Sequence, residues 1–248
     1  LTAGAAAWRC WQSAGGVAPA CMAGHSLGEY TALVAAGALS FTDALALVAK
    51  RAEFMQQAVP EGSGAMAAIL GLDDSAVVEV CAAAAEDQIV SAVNFNSPGQ
   101  VVIAGDKAAV ERAVEAAKSA GAKRALLLRV SVPSHSALMQ PAADALAPLL
   151  EAVTVSSPAV PVLNNVDVEA YTNEQQIRDG LRRQLYSPVR WSDTIRQMAA
   201  SNMSLVIECG PGKVLAGLVK RIDRAVTGVY IDDNDSLQKA LALSNTDQ

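Results

Sequence analysis

Three features of the sequence predict an α/β fold. Short apolar runs alternate with amphipathic helical stretches toward both ends of the chain, the pattern of a parallel sheet covered by helices on both faces. One such run, Ala20-Cys21-Met22-Ala23, leads directly into Gly24-His25-Ser26-Leu27-Gly28, a G-x-S-x-G pattern that sets a serine on a sharp strand-to-helix turn, as in hydrolase-like parallel-sheet cores. Between residues 65 and 130 the order becomes β-α-β-β-α-β, the ferredoxin-like unit. The expected architecture is therefore a hydrolase-like α/β core, residues 1–60 and 132–248, with a ferredoxin-like subdomain, residues 61–131, inserted into it.

The elements follow from local pattern. Leu1, Ala5, Trp8 and Trp11 fall at spacings of three or four and share one helical face, which ends at Gly15-Gly16. After the serine turn, residues 30–38 are rich in Ala and Leu and read as a helix. Ser40 and Asp43 form a capping pair for a helix through Ala58, stopped by Pro60 and Gly62, with Leu45, Val48, Ala52 and Met55 as its core stripe. Residues 65–70, 89–94, 100–104 and 125–130 read as strands and 75–86 and 107–120 as helices, with Asn96-Ser97-Pro98-Gly99 turning between the middle strands. Beyond them lie a helix at 137–150, a strand at 160–163, helices at 173–185 and 192–201 and a strand at 204–207. The turn Cys209-Gly210-Pro211-Gly212 reads as a tight connection into a helix from Lys213, followed by a strand at 226–231 and a short helix.

Composition excludes several classes. The 248 residues carry a net charge of −6, with 18% charged residues and no basic stripe, so nucleic acid is not an expected partner. Apolar residues reach 52%, yet no uncharged run is long enough to span a membrane. Cys10, Cys21, Cys81 and Cys209 are far apart without a C-x-x-C, and there are two histidines. That argues against a zinc site and against a disulfide framework, and no cofactor is expected. No signal peptide is visible, so the cytoplasm is the default location. The chain begins at Leu1 inside a helix, so an N-terminal segment is expected to be missing, with any targeting signal it carried.

Three residues stand out chemically. The serine turn would present the Ser26 hydroxyl to a cleft, with the first N–H groups of the next helix, Leu27 foremost, aimed at an anion forming there. An ordinary turn is the competing reading. Pro133-Ser134-His135-Ser136 holds the histidine outside the serine motif. A lone histidine is usually a satisfied polar residue, but if Ser26 uses a histidine base, His25 points away from it along the chain and His135 remains. Arg51 borders the apolar stripe of its helix, either as a snorkelling surface side chain or as a charge kept for an anionic partner.

Taken together, Gly24-His25-Ser26-Leu27-Gly28-Glu29-Tyr30, Arg51, Asn94-Phe95-Asn96-Ser97-Pro98-Gly99-Gln100, Val132-Pro133-Ser134-His135, Asn164-Asn165-Val166-Asp167 and the stretch from Gln184 to Trp191 resemble the malonyl-CoA:acyl carrier protein transacylases. The likeness runs from Leu1 to about Tyr230 in one order and spacing. It implies that malonyl passes from its coenzyme A thioester to Ser26 and then to the phosphopantetheine thiol of acyl carrier protein, for fatty acid biosynthesis. It also implies that His135 is general base and acid, that Arg51 holds the malonyl carboxylate, that Leu27 supplies an oxyanion N–H, and that the Gln184 carbonyl orients His135. The family's first strand ends in a Gly-Gln-Gly-Ser-Gln turn whose glutamine completes the oxyanion hole, and this chain starts beyond it. Weak turnover and aggregation are therefore expected. Two alternatives remain at this level: a serine esterase or thioesterase, and a catalytically impaired, truncated acyltransferase that only binds its carrier.

Overall fold

The computed structural model describes residues 1–130 and 132–245. Helix α1 (Thr2–Ser13) buries Trp11 and is followed by the short strand β1 (Met22–Ala23), the serine turn and α2 (Gly28–Ala35). Helix α3 (Phe41–Gln57) starts at Ser40, whose hydroxyl oxygen accepts the Asp43 N–H at 3.0 Å, the expected cap.

The buried face of α3 differs from the expected stripe by one residue. Ala44, Leu47, Arg51 and Met55 are buried, while Leu45 is 44% exposed. Apolar residues occupy both phases, so periodicity alone does not fix the rotation, and one residue turns the face by about 100°. Packing decides it: Leu47 and Met55 join Met139, Leu146, Leu150 and Leu181 in the largest core cluster.

Elements β2 (Gly64–Leu70), α4 (Asp74–Ala85), β3 (Val90–Ser97), β4 (Gln100–Asp106), α5 (Lys107–Ser119) and β5 (Arg124–Leu127) come next. Their strands form an antiparallel sheet in the order β3-β4-β2-β5, with Ala67 opposite both Ile103 and Leu127. Val77 and Cys81 from α4 and Val110 and Ala113 from α5 pack with Ile69 and Ile103 of that sheet into a core of its own. Alternating strand residues and the apolar stripes of two helices thus close a layer without help from the rest of the chain.

The chain then runs through a 3₁₀ turn (Ala137–Met139), α6 (Gln140–Ala152), β6 (Val162–Leu163), α7 (Glu174–Arg183), α8 (Trp191–Ala200), β7 (Leu205–Cys209), α9 (Val214–Ile222), β8 (Thr227–Ile231) and α10 (Asn234–Ser244). The parallel strands form two pairs, β1 with β6 and β7 with β8, and not one continuous sheet. Between the facing edges of β1 and β7 lies an apolar cavity of about 660 Å³, lined by Met22, Ala23, Val206 and Ile207 from the strands and by Trp8 and Thr31 from the helices. No described strand bridges the two pairs there.

The antiparallel sheet reaches the core through β3. The Phe95 N–H donates to the Val189 carbonyl at 3.0 Å and the Val189 N–H donates to the Val93 carbonyl at 2.9 Å. One residue on, the Arg190 N–H donates to the Asn165 carbonyl at 3.0 Å. This junction places the end of β3, the segment between α7 and α8, and the serine turn side by side.

Candidate active site

The serine turn is set by backbone sterics. Ser26 has φ +51, a left-handed conformation that costs a non-glycine residue energy and persists only where the surroundings enforce it. A Cβ on Gly24 would lie 1.9 Å from the Gly28 carbonyl carbon, so Gly24 admits no side chain. At Gly28, by contrast, a Cβ would meet nothing within 4 Å, because Gly28 borders the cavity between β1 and β7. Asn165 braces the turn from outside: its Oδ1 accepts the Ser26 N–H at 2.7 Å and its Nδ2 donates to the Gly24 carbonyl at 2.7 Å. The N–H groups of Gly28, Glu29 and Tyr30 donate back to the carbonyls of His25, Ser26 and Leu27. Among the described residues the Leu27 N–H makes no hydrogen bond, so it is the donor the turn leaves available.

His135 reaches this serine from the turn before α6. Its Nδ1 lies 2.7 Å from the Gln184 carbonyl oxygen and its Nε2 lies 2.8 Å from Ser26 Oγ. A carbonyl only accepts, so Nδ1 carries the proton, and Nε2 offers its lone pair to the serine O–H. Gln184 closes α7, where the last carbonyls have no partner in the helix. The carboxylates nearest in sequence terms are engaged elsewhere: Asp144 accepts from Arg182 at 2.7 Å and Asp167 from Arg183 at 3.0 Å. His25 faces away from Ser26, with Nε2 2.8 Å from Asn96 Oδ1 and its ring tilted against Trp191 at 5.6 Å.

Burial, and after it the positive charge of Arg51, pushes the His135 imidazole down to about 3, against the opposing pull of its hydrogen bond to Gln184. The ring is thus neutral and ready to accept a proton at any physiological pH. On the expectation that Ser26 is acylated with His135 as base, kcat/KM for that step, which reports the free protein, should stay flat as pH is lowered through 6.5 and fall only toward about 3. Loss of half the rate at 6.5 in a stopped-flow pH series would show an unperturbed histidine instead. The same depression makes His135 favour the fold above 6.5, and that contribution is lost progressively as pH falls from 6.5 to about 3, where the unfolded chain alone binds the proton.

Arg51 is 6% exposed, which overturns the snorkelling reading. Its Nη2 donates to Ser26 Oγ at 3.1 Å and to Gln184 Oε1 at 3.2 Å, and the guanidinium lies 6.0 Å from the Tyr30 ring centroid. Both hydrogen-bond partners are neutral, and the buried Nε has no partner among the described residues. A buried cation with an unused donor beside a serine hydroxyl is chemically suited to pairing with an anion.

Two residues of this cluster escaped the sequence reading of the site. Asn165 belongs to a quoted motif, but nothing in its type indicated that it braces the serine. Glu29, fully buried, accepts the Tyr171 O–H on Oε1, and on Oε2 it accepts Gln184 Nε2–H at 2.8 Å and the Asn165 N–H at 3.1 Å. Burial raises its carboxyl above the usual carboxylate range, opposed by these hydrogen bonds and by Arg51. Its signal in the sequence was a lone acid ahead of the apolar run Tyr30-Thr31-Ala32-Leu33, which an acid favoured at a helix start explains equally well. Burial raises the thiols of Cys21 and Cys209 to about 11 and that of Cys81 to about 12, so none of these is a ready thiolate. Among the described residues, no group of three His, Cys, Asp or Glu is placed to hold a metal ion, and no helix is long and apolar enough to cross a membrane.

Both the sequence and the fold resemble known proteins. Residues 2–242 match the acyl transferase domain family. The chain is 59% identical over 243 residues to the malonyl CoA-acyl carrier protein transacylase of Escherichia coli K12, covering 98% of this chain and 79% of that protein. Its structure is similar to that of an acyl carrier protein S-malonyltransferase from Vibrio cholerae, at a TM-score of 0.94 and 57% identity over 96% of this chain and 78% of that one. It is also similar to a malonyl-transacylase solved in complex with its type II polyketide synthase acyl-carrier protein, at a TM-score of 0.95 and 54% identity over 97% and 78% of the two chains.

Proposed function

The chain belongs to the acyl transferase domain family, and on that footing we propose that it moves a malonyl group from coenzyme A to acyl carrier protein through an ester on Ser26, supplying fatty acid synthesis. The observation that carries this reading is the placement of a neutral histidine at 2.8 Å and a buried guanidinium at 3.1 Å from one serine hydroxyl. The first makes a nucleophile. The second selects an acyl group that ends in a carboxylate.

In the first half-reaction the malonyl carboxylate pairs with Arg51, which sets the thioester carbonyl over Ser26. His135 Nε2 takes the hydroxyl proton as Oγ bonds to the carbonyl carbon, and the negative charge that develops on the carbonyl oxygen is met by the Leu27 N–H. The Gln184 carbonyl supports the imidazolium through Nδ1–H. When the intermediate collapses, the carbon–sulfur bond breaks and the departing thiolate of coenzyme A takes the proton from Nε2. The carrier's phosphopantetheine thiol then repeats these steps in reverse, giving its proton to His135 and releasing Ser26. The carboxylate has a second effect. By balancing Arg51 it removes part of what depresses His135, so the base strengthens when the correct acyl group is in place.

In this reading the β2 to β5 unit is a ferredoxin-like subdomain set on a hydrolase-like core. The β3 connection to Val189 and the His25–Asn96 contact support a shared cleft between them. The neutral partner of His135 suits transfer between thiols, since a thiolate leaves without the strong push that a carboxylate-backed histidine supplies. The test is to mix the protein with malonyl-CoA and phosphopantetheinylated carrier and to follow malonyl-carrier and free malonate together. Transfer should greatly exceed release of malonate. Dominant hydrolysis would return the esterase reading, and binding without either product would leave an impaired acyltransferase.

A further inference from the structure

We propose that Glu29 is a positioning residue for acyl-group selection: through the side-chain amide of Gln184 it holds the Arg51 guanidinium oriented and open for the carboxylate of the incoming acyl group. The inference rests on Arg51 as the carboxylate-binding group and adds how that group is kept usable while buried.

A buried guanidinium needs a counter-charge, and the simplest one, a carboxylate bonded directly to it, would occupy the donors that the substrate must use. Here the negative charge stands one side chain away. Glu29 Oε2 accepts Gln184 Nε2–H at 2.8 Å, and Gln184 Oε1 accepts Arg51 Nη2–H at 3.2 Å. The direction of this relay is set by chemistry. A carboxylate accepts only, as does the Ser26 carbonyl that Gln184 Nε2 also reaches at 3.0 Å, so the amide must turn its NH₂ toward them and its oxygen toward Arg51. Flipping the amide would set N–H against N–H at Arg51 and oxygen against oxygen at Glu29.

Glu29 is in turn fixed from three sides. Tyr171 and the Asn165 N–H complete its hydrogen bonds, and it sits in the first turn of α2, where the helix dipole favours an anion. Asn165 is the residue that also braces the Ser26 N–H at 2.7 Å. The carboxylate therefore ties the nucleophile turn and the carboxylate pocket to one fixed point. Glu29 has no hydrogen bond to Ser26 Oγ or to His135, and its action on the reaction passes through Gln184.

The test compares kcat/KM for Ser26 acylation by malonyl-CoA and by acetyl-CoA in the wild type, Glu29→Gln, Arg51→Ala and the double variant. Gln at position 29 preserves shape but brings an NH₂ among three donors. The malonyl-to-acetyl ratio should fall about tenfold, chiefly through KM for malonyl-CoA, and Glu29→Gln should leave the ratio unchanged once Arg51 is Ala. A ratio that holds or rises in the single variant, or that falls equally in both backgrounds, overturns the proposal. If Glu29→Gln does not fold, Tyr171→Phe decides: it keeps the carboxylate but removes one of its donors, and a smaller fall in the ratio is expected where an unchanged ratio overturns the relay. Failure of the parent reading looks different, since Arg51→Ala would then leave the wild-type malonyl preference intact.

Discussion

Replacing His135 with Ala is expected to lower Ser26 acylation by malonyl-CoA about 10²–10⁴-fold, with little change in KM. Among the described residues the serine hydroxyl has one proton acceptor within reach, Nε2 at 2.8 Å, and that nitrogen is free to accept because Nδ1 is committed to the Gln184 carbonyl at 2.7 Å. Nothing else in the cluster can take over. Glu29 is turned toward Tyr171, Gln184 and Asn165, and Asp144 and Asp167 are bound to arginines on α7. The methyl of Ala removes the base without adding bulk, so binding of the acyl group at Arg51 should persist. A rapid-quench measurement of acyl-enzyme formation checks this, and a loss of less than about tenfold would mean that the proton leaves by another route.

Arg51→Ala should separate two substrates that differ by a carboxylate. Malonyl transfer is expected to fall about 10²–10³-fold, the range set by removing one partner of a buried charge pair. Acetyl transfer should change by about tenfold or less, the share of the Arg51 hydrogen bond to Ser26 Oγ. The difference arises because the buried Nε has no partner among the described residues and Nη2 has only neutral ones, Ser26 Oγ and Gln184 Oε1, until a carboxylate arrives. Equal losses for both acyl groups would make Arg51 a structural support for the serine and would remove carboxylate selection from the account.

How much of this could be read beforehand depended on whether the cause was local. The serine turn was legible because it needs only a strand, a helix and a Gly24 whose Cβ would collide with its own chain. The cap at Ser40 was legible for the same reason. The rotation of α3 was not: Leu45 and Leu47 are equally apolar, and packing against α6 and α7 chose Leu47. That one-residue turn also moved Arg51 from the edge of the stripe to its middle, which is why a surface reading competed until the coordinates placed the side chain. The alternation of strands and helices indicated parallel pairing but could not reveal that β1 and β7 face each other across a cavity. Gln184 entered through family resemblance alone, and Glu29 and Asn165 were not singled out, because their work lies in partners more than a hundred residues away in sequence, such as Glu29 with Gln184 and Asn165 with Ser26. Residue type and spacing carry no record of such contacts.

In the proposed mechanism Ser26 carries the acyl group between the two thiols. This role is tested most directly by pulsing the protein with labelled malonyl-CoA, quenching, and mapping the label by peptide mass spectrometry. Label is expected on the peptide that contains Ser26, none in Ser26→Ala, and it should disappear when phosphopantetheinylated carrier is added before the quench. Label on a cysteine peptide, or label that persists in Ser26→Ala, would contradict it.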